Sequence, residues 1–255
     1  MALDINCDMG ESFGNYRYGA DDEIVAYITS ANVACGFHAG DPSVMDRTVA
    51  LAKRCGVAVG AHPSFPDILG FGRRELNATP DEVRDYVTYQ VGALAAFAAA
   101  YGLRLQHVKG HGAVYNMAAT DDRLARAMAE GVARVDPGLT YVGLAGSALL
   151  RAAAELGLRT ASEVFADRAY TPEGTLVSRR IAGSVIHDPE LVVRRVVQMA
   201  TRGTVATVTG ETIPVQADTV CVHGDTPGAA RLAEGIRRAL EAAGVEVRPM
   251  GRGRG

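Results

Sequence analysis

Tryptophan is absent from this chain of 255 residues, and aromatic residues make up only 6% of it. So few aromatic side chains argue against a stacking platform for single-stranded nucleic acid. An excess of one charge is also missing, since 26 lysines and arginines stand against 29 aspartates and glutamates. This balance argues against the basic surface of a typical nucleic-acid-binding protein and against the polybasic patch of a membrane-surface protein.

Long apolar runs and targeting segments are missing as well. The sequence has no run of 18 apolar residues that could form a transmembrane helix, and residues 1–10 lack the basic and apolar regions of a signal peptide. Its cysteines form no C-x-x-C pair of the zinc-ribbon or thioredoxin type; they are Cys7, Cys35, Cys55 and Cys221. Three of them lie in apolar runs, as buried reduced thiols do, so we expect a cytoplasmic protein.

Several catalytic motifs are absent too. The chain has no G-x-x-x-x-G-K-[ST] loop, and by itself it therefore lacks a P-loop nucleotide site. It has no G-x-S-x-G sequence, which argues against a serine hydrolase. H-E-x-x-H does not occur, and the one H-x-x-x-H sequence, from His107 to His111, begins in a predicted strand, so no predicted helix carries a ready pair of metal ligands.

Glycine, in contrast, is abundant, with 29 residues where average usage of about 7% would give roughly 18. Short β-type runs alternate with longer helix-type runs along the whole chain, which is typical of βα units around a parallel sheet. The seven predicted strands are residues 3–7, 30–36, 57–61, 105–109, 140–144, 160–165 and 219–223. The predicted helices are residues 43–54, 79–101, 120–135, 147–156, 190–201 and 227–243.

Seven βα units in a chain of this size predict a closed barrel, either of the TIM type or a seven-stranded relative, rather than an open sheet. Residues 205–215 alternate apolar and polar side chains around a glycine, so we predict an inserted β-hairpin there. No segment resembles an interdomain linker. We therefore expect a single barrel domain over residues 1–250 and a disordered tail at 251–255.

The residues able to do chemistry follow the ends of these strands. They are Asn6, Asp8, Glu11, Asn32, His38, His62, Lys109, His111, Glu163, Asp167, Arg168, His223 and Asp225. In a parallel barrel the carboxyl ends of all strands converge on one face, where such folds place their active sites. Many of the additional glycines lie beside these residues, where the backbone must turn sharply or approach a ligand. We therefore predict one polar site at the mouth of the barrel.

Two chemistries fit this set of residues. Asp8, His62 and His111 could hold a hydrolytic zinc ion, because two neutral imidazoles and a carboxylate leave a ligand position open. Against this, Lys109 would place a cation in the same mouth unless it pairs with Asp8 or Glu11. Without a metal, a carboxylate or histidine would act as general base and a lysine or arginine would stabilise anionic charge, which suits hydrolysis of an amide, lactam or ester. We assign no metal.

The run from Gly70 to Arg74 also has two interpretations. Its glycines and arginines could bind a phosphate through exposed backbone N–H groups and positive charge. It could equally be a structural turn in which an arginine pairs with Asp67 or Glu75.

Several strand-end segments resemble the LamB/YcsF lactam-utilisation family. They are residues 4–14, 30–42, 60–63, 67–74, 107–116, 165–170 and 222–227, and the resemblance extends from residue 4 to about 249. The family's fourth block usually reads His-Val-Lys-Pro-His-Gly-Ala-Leu-Tyr. This chain has His107-Val-Lys-Gly-His-Gly-Ala-Val-Tyr115 instead, and the missing proline leaves the backbone before His111 freer.

The resemblance implies a seven-stranded β/α barrel of the glycoside hydrolase/deacetylase type. It also implies the family's role as the A subunit of ATP-dependent 5-oxoprolinases, which open 5-oxo-L-proline (pyroglutamate) to L-glutamate with subunits B and C. ATP would be a co-substrate, and the partner subunits would activate the lactam. The expected catalytic residues are Asp8, His62, Lys109, His111 and Arg168. The expected substrate-binding residues are Asn6, Glu11, Asn32, His38, Arg73, Asp167, His223 and Asp225.

Two other functions stay open on the sequence. The chain could be a binding or regulatory subunit whose partners perform catalysis, in which case the mouth residues would serve assembly or substrate retention. It could also be a stand-alone metal-dependent deacetylase, as the fold type and the aspartate and histidine residues suggest.

Overall fold

A computed structural model describes residues 1–224 and 228–251 of the chain. Its strands are β1 (Ala2–Met9), β2 (Ser30–Ala34), β3 (Ala58–His62), β4 (His107–Lys109), β5 (Thr140–Leu144), β6 (Arg159–Phe165), β7 (Thr204–Ala206), β8 (Thr212–Pro214), β9 (Thr219–Val222) and β10 (Glu246–Val247). Its helices are α1 (Asp21–Ile24), α2 (Pro42–Cys55), α3 (Pro80–Ala100), α4 (Gly112–Ala118), α5 (Asp122–Val135), α6 (Ala148–Glu155), α7 (Pro189–Arg202) and α8 (Ala229–Ala242).

Strands β1 to β6 and β9 close into a parallel barrel of seven strands. Neighbours pair in the order β1-β2-β3-β4-β5-β6-β9, and β9 pairs again with β1 through registers such as Ile5 with Val220. The predicted seven-stranded barrel is therefore confirmed. Strand β10 adds to β1 at the opposite end from the mouth, beginning with Ala2 and Glu246. The predicted hairpin is also confirmed, since β7 and β8 pair antiparallel.

Proline-containing capping sequences begin three of the helices, as their residues predict. Asp41, Thr79 and Asp188 each accept hydrogen bonds from the backbone of the first helical turn, and a proline follows each of them. Thr79 forms a reciprocal capping box with Glu82. A similar signal at residues 226–227 lies outside the described residues.

The helix predicted over residues 120–135 is confirmed, since the chain forms α5 at Asp122–Val135. The short helix α4 at Gly112–Ala118, which comes before it, was not predicted. Helix α4 lacks an ordinary start signal, because His111 precedes it without a capping hydrogen bond from its side chain. The result places His111 at the junction between β4 and a helix. No helix within the described ranges is long and apolar enough to cross a membrane.

Hydrogen-bonded polar side chains, and not only apolar ones, occupy part of the barrel interior. At the lower end the buried Asp4 accepts hydrogen bonds from the hydroxyls of Thr29, Ser30 and Thr219. Burial raises the pKa of Asp4, while these hydroxyls act in the opposite direction. Because side chains alternate along a strand, Asp4, Asn6 and Asp8 share one side of β1 and lead upward to the mouth.

Candidate functional site

Lys109, the last residue of β4, lies at the centre of the mouth and is almost fully buried. Its Nζ is 2.9 Å from Asp8 Oδ1 and 2.9 Å from Glu163 Oε1. It also lies 3.2 Å from Asn6 Oδ1 and 3.1 Å from Cys221 Sγ. An ammonium has three protons to donate, so the neighbours on this side of the barrel take up the hydrogen-bonding capacity of Lys109.

The two carboxylates keep this lysine charged. Burial disfavours its ammonium form, yet Asp8, Cys221 and Glu163 raise the pKa of Lys109 well above its usual range. The reverse holds for Asp8: burial opposes ionisation, but His62 and Lys109 hold its pKa well below the usual range. The mouth therefore contains an ionised carboxylate and an ammonium in contact at neutral pH.

A layer of amides below Lys109 fixes the direction of the Asp8 carboxylate. Asn32 donates to Asp8 Oδ1 at 2.8 Å and to Asn6 Oδ1 at 2.7 Å. The Asn32 carbonyl oxygen lies 2.7 Å from His107 Nε2, and burial lowers the pKa of His107 to about 3, so this ring is neutral. Asn6 completes the layer by donating to Glu163 and Thr219. Asn6 and Asn32 therefore support the acidic groups from beneath.

His62 and His111 meet at the next position around the mouth, and the backbone sets their tautomers. His62 Nδ1 lies 2.8 Å from the carbonyl of Lys109, and His111 Nε2 lies 2.9 Å from the carbonyl of Phe71. Because a carbonyl only accepts, each of these nitrogens must carry a proton. The opposite nitrogens, His62 Nε2 and His111 Nδ1, face each other at 3.0 Å.

Two carboxylates adjoin this histidine pair. Asp8 Oδ2 is 3.2 Å from His62 Nε2, and Glu11 Oε1 is 3.3 Å from His111 Nδ1. The same Glu11 oxygen is 3.3 Å from His38 Nε2, and the His38 ring stacks on His111 with centroids 3.8 Å apart. Burial and the neighbouring imidazoles hold the pKa of both His38 and His111 well below the usual range. These two rings are therefore neutral.

The loop at residues 70–74 supports His111 from outside. Arg74 forms a salt bridge with Asp67, as the structural-turn interpretation expects. The guanidinium of Arg73 lies 5.0 Å from the centre of the Phe71 ring, and its side chain is exposed at the rim. Gly72 accepts a backbone hydrogen bond from Ala113, so the loop is joined directly to the start of α4.

Replacing Gly112 by alanine is expected to disturb this junction. Gly112 has a φ of +66°, and a Cβ there would collide with the carbonyl of Gly72. Gly56 serves as a matched control, since it has a φ of +68° and open space around the same position. We expect Gly56→Ala to lower the free energy of unfolding by about 1–2 kcal/mol for the left-handed backbone. Gly112→Ala should cost roughly 1–3 kcal/mol more through the added steric conflict.

Chemical denaturation of both variants measures this difference directly. Equal losses of stability in the two variants would contradict the proposed close approach of the Gly72 carbonyl to the backbone beside His111.

A second group lies on the β6 and β9 side of the mouth. Asp167 is 2.9 Å from His223 Nδ1, and Arg179 lies 2.9 Å from His223 Nε2. Because a guanidinium only donates, His223 carries its proton on Nδ1 and gives it to Asp167. Burial opposes ionisation of Asp167, but His223 and Arg179 lower its pKa. Asp225, predicted beside this group, lies outside the described residues.

Arg168 binds the main chain of the segment that follows β6. Its guanidinium donates to the main-chain carbonyls of Val177 and Ser184, and the residue is buried. Burial, together with Arg179, lowers the pKa of Arg168 to about 10. These contacts fasten the long segment between β6 and α7, so Arg168 has the environment of a loop anchor.

Two residues of the site, Tyr115 and Cys221, were not among the candidates chosen from the sequence, and Glu163 was predicted at the mouth without a catalytic or binding role. Glu163 is fully buried against Lys109, Tyr115 donates to Glu163 at 2.6 Å, and Cys221 contacts the Lys109 ammonium. A usable signal existed for Glu163, because a carboxylate inside a strand of small and apolar residues needs a buried partner. Tyr115 and Cys221 carry no comparable signal.

This fold and this site define a class: a closed seven-stranded (β/α) barrel with an acid–base group at the carboxyl ends of its strands. Within that class, the chain belongs to the LamB/YcsF family, whose model matches residues 3–254. Family membership agrees with the strand-end segments from which the resemblance was inferred.

Several similar proteins have names that indicate a function. The chain is 58% identical over 251 residues to a protein of Syntrophobacter fumaroxidans named as the A subunit of 5-oxoprolinase, covering 98% of this chain and 99% of that protein. It is 57% identical to a protein of the same name from Thermococcus onnurineus, with 98% of each covered. Its structure is similar to that of the lactam utilization protein from Thermus thermophilus, with a TM-score of 0.92 and 50% identity, covering 97% of this chain and 99% of that one.

Proposed function

We propose that this chain is the A subunit of a 5-oxoprolinase and hydrolyses a cyclic amide, 5-oxo-L-proline, to L-glutamate. The observation that carries the proposal is the contact of an ionised Asp8 with the buried Lys109 and with His62, in a chain whose full-length relatives bear that name. Opening a lactam ring requires an activated water and a place for negative charge, and the mouth of the barrel offers groups for both.

Asp8 is the proton acceptor in this proposal. Its Oδ1 is held by Lys109 and Asn32, which leaves Oδ2 directed toward His62 at the partly open side of the mouth. A proton acceptor must be ionised, and Lys109 keeps the Asp8 carboxylate in that form. The role of Lys109 in the reaction is therefore to position and charge Asp8. The exposed Arg73 at the rim supplies positive charge for an anionic intermediate or a phosphate.

The chemistry of the substrate explains why the proposed reaction uses ATP. A five-membered lactam is a poor electrophile, so phosphorylation of its carbonyl oxygen would make attack by water feasible. This chain has no P-loop, and we propose that partner subunits B and C perform the activation. The A subunit then receives the activated ring and directs water to it.

Reconstitution tests this assignment. The purified chain, mixed with its B and C subunits, ATP and 5-oxo-L-proline, is expected to form L-glutamate and to consume ATP in the same reaction. Leaving out the chain should stop glutamate formation. Full glutamate formation by B and C alone would refute the catalytic role and indicate a regulatory subunit. Hydrolysis of acetylated sugars by the chain alone would indicate a deacetylase.

A further inference from the structure

Side-chain nitrogen and oxygen atoms that can bind a metal ion converge between β1, β3 and β4. His62 Nε2 and His111 Nδ1 are both acceptors in their neutral tautomers, because the backbone carbonyls of Lys109 and Phe71 take the protons of the other nitrogens. Glu11 Oε1 adds a carboxylate oxygen 3.3 Å from His111 Nδ1. Buried acceptors that face one another this closely require a cation or a proton between them.

A single proton does not account for the arrangement. If it were placed on His62 Nε2, that proton could be donated to Asp8 or to His111, which lie 3.2 and 3.0 Å away. The contact between the neutral His111 and Glu11 would remain one between two acceptors. His38 can donate from Nε2 to Glu11 Oε1 at 3.3 Å, because its buried Nδ1 has no hydrogen-bond partner within the described part of the chain, but this N–H does not lie between His111 Nδ1 and Glu11 Oε1.

The separations of 3.0 Å between His62 Nε2 and His111 Nδ1 and of 3.3 Å between His111 Nδ1 and Glu11 Oε1 are close to those around a shared metal ion. Atoms bound to one tetrahedral zinc lie roughly 3.3–3.4 Å apart, because each is about 2.0–2.1 Å from the metal. Ligand atoms from Glu11, His38, His62 and His111 all lie within 4.8 Å of one another. In each of the two proposed imidazole ligands, the nitrogen that does not face the metal position donates its N–H to a backbone carbonyl. Metal-bound histidines ordinarily have such a hydrogen bond, which fixes the ring and its tautomer.

Charge favours a divalent cation at this position. Lys109 contributes one positive charge, and the carboxylates of Asp8, Glu11 and Glu163 surround it and the histidine pair. Formally, this leaves two negative charges among these residues when the imidazoles are neutral, and the positive charge of Arg73, which acts on His38 and His111, leaves a net negative charge of one. The lysine charge therefore does not prevent cation binding, because two carboxylates already contact it directly.

We propose that Glu11, His62 and His111 form a binding site for a divalent transition-metal ion such as zinc. Two imidazoles and one carboxylate leave a coordination position open, as in zinc sites that bind water. The other nearby set, Asp8, Cys221 and His223, does not qualify, since Asp167 and Arg179 already engage both nitrogens of His223. The test of the metal site measures binding alone, so its failure is distinguishable from a failure of the proposed lactam hydrolysis.

Metal titration of the full chain provides the test. After chelator treatment and dialysis, calorimetry with Zn²⁺ and absorption spectra with Co²⁺ should show a single saturable site and the strong visible bands of tetrahedral Co²⁺. Loss of a residue that only hydrogen-bonds to a ligand typically weakens metal binding by about 10–100-fold. His111→Gln and Glu11→Gln remove ligands, so each is expected to weaken binding by at least that factor. His187→Gln, at an exposed histidine, should leave it unchanged.

The results that would overturn the proposed metal site differ from those that would support it. Absence of saturable binding of Zn²⁺, Co²⁺ and Mn²⁺ to the wild-type chain would overturn the proposal, and so would binding that survives both ligand substitutions. If a ligand variant does not fold, X-ray absorption spectroscopy on the zinc-loaded wild-type chain identifies the ligand atoms instead. Two imidazole nitrogens with oxygen ligands support the site, whereas sulfur or oxygen-only coordination refutes it.

Discussion

Lys109→Met is expected both to destabilise the protein and to lower its activity strongly. Methionine leaves Asp8 and Glu163 in the interior without the ammonium that lies 2.9 Å from each. Removing one partner of a buried ion pair costs about 3–5 kcal/mol, because the remaining charge is left uncompensated. Activity should fall by roughly 10²–10³-fold in the folded fraction, since Asp8 loses the group that keeps it ionised and oriented. Urea denaturation and reconstituted glutamate formation measure the two effects.

A second substitution distinguishes lost charge balance from lost packing. Glu163→Gln in the Lys109→Met background removes one uncompensated carboxylate while keeping nearly the same volume. If charge is the cause, the double variant should regain part of the lost stability, whereas Glu163→Gln alone should destabilise the wild type. A Lys109→Met variant as stable as the wild type would show that the ion pairs contribute little to the folded state.

Much of the fold follows from local sequence rules. Period-two alternation along β1 and the proline-containing caps before α2, α3 and α7 each specify one element with a physical cause. Local sequence rules do not predict helix α4, because tertiary contacts specify its start. Gly112 approaches Gly72, and Ala113 donates a backbone hydrogen bond to the Gly72 carbonyl. No local pattern around His111 contains that information.

In the site, too, some features can be predicted from the sequence and others cannot. Convergence of Asp8, His62 and Lys109 is predictable, since the carboxyl ends of parallel strands meet on one face. The tautomers of His62 and His111 are not, because each depends on a carbonyl supplied by a different loop or strand. The direction of Arg168 is equally inaccessible, since its guanidinium binds carbonyls nine and sixteen residues further along the chain.

Asp8→Asn is expected to cause the largest loss of activity for the smallest structural change. The amide keeps the size of the side chain and can still accept from Lys109 through its oxygen, but it cannot take a proton from water. Loss of a general base typically lowers kcat by about 10²–10⁴-fold. Reconstituted glutamate formation should fall within this range, while co-purification with the B and C subunits and the far-ultraviolet circular dichroism spectrum should match those of the wild type.

Asp4→Asn is the matched control on the same strand. Asp4 shares the inward side of β1 with Asp8 but lies at the opposite end of the barrel, where three hydroxyls hold it. Because burial raises its pKa, neutralising Asp4 should change stability modestly and kcat hardly at all. Equal losses of kcat in both variants would mean that any buried change in β1 disturbs turnover. Full activity in Asp8→Asn would remove Asp8 from the chemistry and move the search for the base to His62.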